Sequence, residues 1–160
     1  MIIKCDYRIA SVTDGYGLLL RNKHLNDAEH RLPGNSVLFI HGATYGSTST
    51  FDYEIEGESW MDKMAAEGFD VWCLDLLGYG ESDRPEEMLV AADLNDPIVD
   101  TAHAIAEVDR AVDFILKDRA IHQLSLIGYS WGSAICGRYA GQFERKVSRL
   151  VLSGALWVEK

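Results

Sequence analysis

The chain has 160 residues, an ordinary length for one domain, and 48% of them are apolar, enough to bury a core. Its net charge of -10 carries no local cluster of Lys and Arg and argues against a nucleic-acid partner, because a phosphate backbone would be repelled. No apolar run is long enough to span a bilayer, and Met1-Ile2-Ile3-Lys4-Cys5-Asp6 meets charge too early for a signal peptide, so a soluble, cytoplasmic protein with no membrane partner is expected. Cys5, Cys73 and Cys136 are odd in number and far apart, with no Cys-x-x-Cys pair. They read as reduced, partly buried thiols, and no metal or other cofactor is expected. The acidic residues between Phe51 and Asp113 read as a solvated face.

In chain order, Ile2 to Val12 and Gly17 to Leu25 predict two strands joined at Asp14-Gly15 as a hairpin. Ser36-Val37-Leu38-Phe39-Ile40 is a short apolar run opened by Pro33-Gly34 and closed by His41-Gly42, the pattern of a strand buried on both faces. Ser59 to Glu67 predicts a helix, with Trp60, Met61, Met64 and Ala65 at helical spacing and Gly68 at its end. Phe69 to Leu74 predicts a second buried strand. From Asp100 to Leu116, Ile105, Val108, Val112 and Ile115 form one apolar stripe, with Glu107, Asp109, Arg110 and Asp113 expected to face away from it. Leu124 to Ile127 predicts a third buried strand, Ser133 to Phe143 a helix, and Val147 to Leu152 a fourth strand.

Such alternation implies βαβ crossovers, hence a mainly parallel, doubly wound α/β sheet in a single domain, 1–160. Ligands bind such sheets outside the carboxyl ends of the strands. The segments leaving those ends are His41-Gly42-Ala43-Thr44, Asp75-Leu76-Leu77-Gly78-Tyr79-Gly80 and Gly128-Tyr129-Ser130-Trp131-Gly132.

The last segment carries the chemistry. A serine projecting from a very tight strand-to-helix turn needs glycine two positions before and after it, and Gly128 and Gly132 meet that need. Its hydroxyl would lie near a helix N-terminus, where free amides favour developing negative charge. The alternative is that the two glycines only end a strand and pack a helix around an ordinary serine. Acyl transfer also needs two donors at the oxyanion, one from the residue after the nucleophile and one from the loop after an earlier strand. Those are the amides of Trp131 and Ala43, unless Gly42 merely ends its strand. Tyr45, Phe51, Tyr79, Tyr129 and Trp131 gather by motif position around this cleft and fit either an apolar ligand or core packing.

Three stretches resemble the α/β-hydrolase superfamily in order. Val37 to Gly42 is similar to its oxyanion strand and His-Gly turn, Leu74 to Ser82 to its Asp-x-x-Gly-x-Gly-x-Ser run, and Ile127 to Ser133 to its nucleophile elbow. The resemblance implies a hydrolase with Ser130 as the catalytic nucleophile, Ala43 and Trp131 as the oxyanion hole, and a small-molecule acyl substrate. A serine there points to ester, thioester, amide or carbon–carbon acyl cleavage, not to the epoxide and haloalkane branches, which use a carboxylate. The Ser-Trp-Gly-Ser form at Ser130 to Ser133 also resembles the elbow of proline iminopeptidases.

The superfamily completes its triad with an acid and then a histidine after the serine, and no histidine follows Ser130. His24 and His30 read as polar loop residues, His103 as part of a helix, His122 as the entry to the elbow strand, and His41 as part of the oxyanion turn. Glu159 could supply an acid but has no base to orient. The resemblance also implies further strands and a cap after Val147 to Leu152, so the expectation is a fold truncated there. Its last strand would be an open edge, prone to self-association. The expected function is therefore serine-dependent hydrolysis of carboxylic esters or related acyl compounds, with acid and base missing from this chain. A proline iminopeptidase-like peptidase and a non-catalytic interaction module are the alternatives.

Overall fold

A computed structural model describes residues 1–26 and 34–155. His30, Pro33 and Glu159 lie outside the described residues, as do the other residues of 27–33 and 156–160. Strands β1 (Ile2–Ala10) and β2 (Gly17–Leu25) pair antiparallel, with Ile2 opposite Leu25 and Ala10 opposite Gly17. The first strand stops two residues short of the sequence expectation because Ser11 leaves the ladder. Its N–H donates to the Tyr16 carbonyl and its hydroxyl to Glu107. The positive φ of Gly15 closes the turn.

β3 (Ser36–Ile40) and β4 (Asp70–Leu74) are buried at every position. Between them lie α1 (Ser47–Phe51), a single turn that the Ser/Thr-rich sequence did not announce, and α2 (Trp60–Ala66). The second helix starts at a capping box in which Ser59 accepts from the Asp62 amide and Asp62 from the Ser59 amide. α3 (Thr101–Arg119) is capped by Asp100, whose carboxylate accepts the His103 N–H, and stops where Ala120 turns left-handed. β5 (Leu124–Tyr129), α4 (Trp131–Gln142) and β6 (Val147–Ser153) follow. α4 begins two residues earlier than its sequence pattern indicates, directly at the elbow.

The six strands lie in the order β1-β2-β4-β3-β5-β6. The β4-β3-β5-β6 part is parallel, and the N-terminal hairpin joins it antiparallel through β2. From β3 the chain goes one way to β4, then crosses by α3 to β5 on the other side of β3. That reversal opens a crevice at the carboxyl ends of β3 and β5, where an open α/β sheet binds its ligand.

Alternating strand residues feed two cores. Leu38, Ile40, Trp72, Leu74, Leu124 and Leu126 pack under α3 and α4. Val37, Phe39, Val71, Cys73 and Ile127 pack under α1 and α2 through Phe51, Met61 and Ala65. Cys73 and Cys136 are buried and all three cysteines are free; burial pushes the Cys136 thiol up to about 12. β6 forms the edge, with Leu150, Val151 and Leu152 all exposed. No helix among the described residues is long and apolar enough to cross a membrane.

Most acidic residues between Phe51 and Asp113 are exposed, as the solvated-face reading expects, but four depart from it. Asp52, Asp70, Asp75 and Glu107 are buried because each meets donors brought from distant segments. On one face of β2, Arg21 reaches Asp6 and Asp52, and Lys23 reaches Asp52 and Asp62. On the other, Asp70 accepts from Arg119, Asn22, Ser36 and the Trp72 indole, and the Arg119 guanidinium lies 4.7 Å over the Trp72 ring. His24, expected in a loop, belongs to this layer, buried on β2 with Nδ1 2.7 Å from Asn22 Oδ1.

Burial raises the Asp70 pKa, but Arg119 and the indole outweigh it and hold the carboxyl below its ordinary value. A depressed carboxylate contributes stability above the unfolded pKa, about 3.9, and loses it as pH falls through the folded value. Arg119→Ala strands that carboxylate. Urea unfolding at pH 7 should show a loss of about 3–5 kcal/mol, and the loss should shrink below about pH 4.

Candidate active site

Strand β5 ends at Tyr129 and α4 begins at Trp131, so one residue makes the whole turn. Ser130 makes it at φ 53° and ψ -119°, a region that costs an L-residue about 1–3 kcal/mol. Three hydrogen bonds hold it there. Its N–H donates to the Ser153 carbonyl at the end of β6 (2.9 Å), and its carbonyl accepts the Ser133 N–H (2.9 Å) and hydroxyl (2.5 Å). The side chain is half-buried at the sheet's carboxyl end.

The flanking glycines are demanded by backbone, not by flexible neighbours. A Cβ on Gly128 would lie 2.6 Å from the Gly132 carbonyl carbon and 2.9 Å from the Ser133 nitrogen. One on Gly132 would meet the Ile40 carbonyl oxygen and lie 2.5 Å from that of His41. The elbow is therefore pressed directly against the end of β3. One on Gly42 would lie 3.1 Å from Ser130 Cβ and 3.5 Å from its Oγ, so the structure brings the His41-Gly42-Ala43 turn to the serine hydroxyl.

The two residues expected to donate to an oxyanion flank this point. Trp131 opens α4, where first-turn N–H groups lack intrahelical acceptors, and its indole donates to Thr101 at the start of α3 (3.1 Å). Ala43 is exposed, and its carbonyl accepts from the Tyr79 hydroxyl (3.0 Å).

His41 is fully buried and both ring nitrogens are engaged. Nε2 accepts the Leu76 N–H (3.2 Å), which leaves Nδ1 protonated and donating to the Gly42 carbonyl (2.6 Å). Burial pushes its pKa down, keeping it neutral. It orders the turn and has no lone pair for Ser130. His103 is 3.1 Å from Glu107 through Nε2. His122 is exposed before β5, at the strand end opposite Ser130, with the six residues of that strand between them, roughly 20 Å at about 3.3 Å per residue.

The sequence marks the Asp75 to Ser82 run as a motif but not what Asp75 and Ser82 do in it. Asp75 accepts from the Thr48 amide and hydroxyl and from the Glu81 amide, tying α1 to the loop after β4. Ser82 donates to the Asp75 carbonyl and accepts the Leu19 N–H. The Asp75 to Ser82 run is thus a brace for the loop beneath the site. Of the five aromatic residues expected around the cleft, Phe51 leaves it, stacking on Phe39 in the opposite core at 4.5 Å. Tyr79 stays, 4.6 Å from the His41 ring and 6.4 Å from Trp131, while Tyr45 and Tyr129 are exposed.

The strain at Ser130 is measurable. Ser130→Gly should be more stable than Ser130→Ala by roughly 1 kcal/mol, since glycine relieves the left-handed strain. Gly132→Ala should cost about 1–3 kcal/mol or more, whereas Gly141→Ala, with open space around it in the same helix, should stabilise by about 0.5–1 kcal/mol. Denaturant titration of the four variants separates these outcomes.

Residues 35–160 match the alpha/beta hydrolase fold family. An uncharacterized Mycobacterium tuberculosis protein is 28% identical over 127 residues, covering 79% of this chain and 31% of its own. The AB hydrolase superfamily protein YisY of Bacillus subtilis is 29% identical over 123 residues, covering 76% and 38%. The chain thus spans about a third of the length of these curated relatives. Among solved structures, a variant of the Solanum tuberosum epoxide hydrolase superposes with TM-score 0.69 at 21% identity, over 99% of this chain and 42% of that one. The thioesterase domain from the curacin biosynthetic pathway gives 0.66 at 20%, over 94% and 46%. Because the family match runs over residues 35–160, from β3 through the elbow and β6, the chain belongs to the α/β-hydrolase family.

Proposed function

We propose that this chain is the nucleophile-bearing core of a serine hydrolase acting on carboxylic esters or related acyl compounds. The observation that carries the reading is the strained Ser130 elbow held against the Gly42 turn, with Gly42 so near that a Cβ there would sit 3.5 Å from Ser130 Oγ. In this reading Ser130 Oγ attacks the acyl carbonyl carbon. The Ala43 and Trp131 amides hold the tetrahedral oxyanion, the leaving alcohol departs with a proton, and water releases the acid from the acyl-enzyme. A serine in place of a carboxylate favours this route over epoxide opening, the activity named for one structural neighbour.

The general base is assigned to polypeptide beyond these 160 residues. Two observations support that: no histidine follows Ser130, and His41 has both nitrogens engaged. Relatives of which the match covers only 31% and 38% have room for it. The same reading places the protein in the cytoplasm, where its three free thiols would stay reduced, and lets two copies pair along β6 through Leu150, Val151 and Leu152.

A serine with a built oxyanion site but no base should respond to a base added from solution. Fluorophosphonate labelling of the chain should accelerate with imidazole concentration, follow the neutral form of imidazole, and vanish in Ser130→Ala. A rate indifferent to imidazole, or equal in Ser130→Ala, contradicts the proposal. Prolyl amides against p-nitrophenyl esters, in a chain with its base restored, distinguish a peptidase of the proline iminopeptidase kind.

A further inference from the structure

α3 carries one residue that its packing does not explain. Glu107 lies on the core side of the helix among Ala104, Val108 and Ala111, with no exposed surface, where a hydrophobic residue would be the default. Its three contacts come from three places. Oε1 accepts the Ser11 hydroxyl (2.6 Å) and lies 3.1 Å from His103 Nε2, and Oε2 accepts the Leu77 N–H (2.9 Å).

The Leu77 contact reaches the site. Leu76 and Leu77 are consecutive and fully buried, so neither amide has water as an alternative partner. Leu77 N–H goes to Glu107, and Leu76 N–H goes to His41 Nε2. The two donors lie on adjacent peptide planes that meet at the Leu76 Cα, so with both N–H groups held only the Leu76 φ and ψ separate them, and tilting one plane strains the other. The same loop closes by a Tyr79 N–H to Leu76 carbonyl bond (2.9 Å) and sends the Tyr79 hydroxyl to the Ala43 carbonyl (3.0 Å). The loop thus grips the His41-Gly42-Ala43 turn at two points, the His41 ring and the Ala43 carbonyl.

We propose that Glu107 is a positioning residue for the oxyanion turn: it pins the loop after β4 at Leu77, and through Leu76 and Tyr79 that loop fixes His41, Gly42 and Ala43 against Ser130. A carboxylate suits the task because it accepts from several donors at once, where an apolar residue would leave the Leu77 amide without a partner. The catalytic meaning of this role rests on the serine hydrolase reading; the positioning itself does not.

The test is nitrogen NMR of the full 160-residue chain, comparing wild type with Glu107→Ala, Glu107→Gln and Ser11→Ala. In wild type the His41 ring should show a single Nδ1–H tautomer. Glu107→Ala should give a mixed tautomer signal and speed Leu76 amide exchange by about tenfold or more, while the Trp72 indole signal, reporting the distant Asp70 network, stays in place. Glu107→Gln, whose amide oxygen still accepts the Leu77 N–H, should restore the wild-type pattern. Ser11→Ala, which removes an Oε1 contact and the acceptor of the Thr13 N–H but leaves the Leu77 contact in place, should leave His41 unchanged.

A folded Glu107→Ala with unaltered His41 and Leu76 signals would overturn the proposal. Should that variant not fold, the wild-type chain decides: Leu76 and Leu77 amides must exchange at matched rates, and unmatched rates overturn it. With imidazole present, Glu107→Ala should also slow phosphonylation of Ser130 by about 10²-fold. Failure of wild type to label at all counts against the hydrolase reading and leaves the NMR outcomes standing.

Discussion

The close approach of Gly132 to the carbonyl oxygens of Ile40 and His41 is the contact on which the site depends. It brings the start of α4 onto the end of β3 with no side chain between them. Because β3 and β5 are adjacent and in register, Ile40 opposite Gly128, their carboxyl ends finish at one level. The serine turn and the histidine turn are thereby forced into contact. A methyl group at Gly132 would part them, and Gly42 would no longer reach Ser130. The left-handed strain at Ser130 is tolerated because bonds to Ser153 and Ser133 and the packing of two glycines over-determine it.

Buried charge does a different job. Asp70, Asp75 and Glu107 each join segments distant in sequence: Asp70 joins β2, β4 and α3, Asp75 joins α1 to the loop after β4, and Glu107 joins that loop to α3 and to the exit of β1. Hydrophobic layers between sheet and helices set spacing but not loop orientation, since apolar contact is non-directional. Directional acceptors with several donors hold the loops at the carboxyl ends of the strands in one arrangement. The site is built from those loops.

Much of this was legible in the sequence. Apolar runs mark Ser36 to Ile40 and Phe69 to Leu74 as buried strands, since a strand covered on both faces has no polar alternation to obscure it. The glycine spacing around Ser130 placed the elbow because only a very tight turn requires it on both sides. What escaped depends on tertiary partners. Glu107 reads as a solvent residue on a helical wheel until Ser11 and Leu77 arrive from elsewhere, beside His103 one turn earlier on the same helix. His24 reads as polar loop until Asn22 meets it on β2, and Phe51 as a cleft residue until α1, a helix with no apolar period, carries it to Phe39. The role of His41 was half visible: its place in the turn follows from sequence, its fixed tautomer only from the Leu76 amide.

On the proposed reading Ser130 faces the electrostatic half of a hydrolase site, the Ala43 and Trp131 amides, in a chain spanning about a third of its curated relatives. The claim that this half is preorganised can be tested without the rest of the machinery. A crystal structure of the chain phosphonylated at Ser130 should place the phosphonyl oxygen within about 2.7–3.1 Å of both the Ala43 and the Trp131 nitrogens, with the Ile40 to Ala43 backbone unmoved. An adduct whose oxygen points to solvent and meets neither amide would contradict the account.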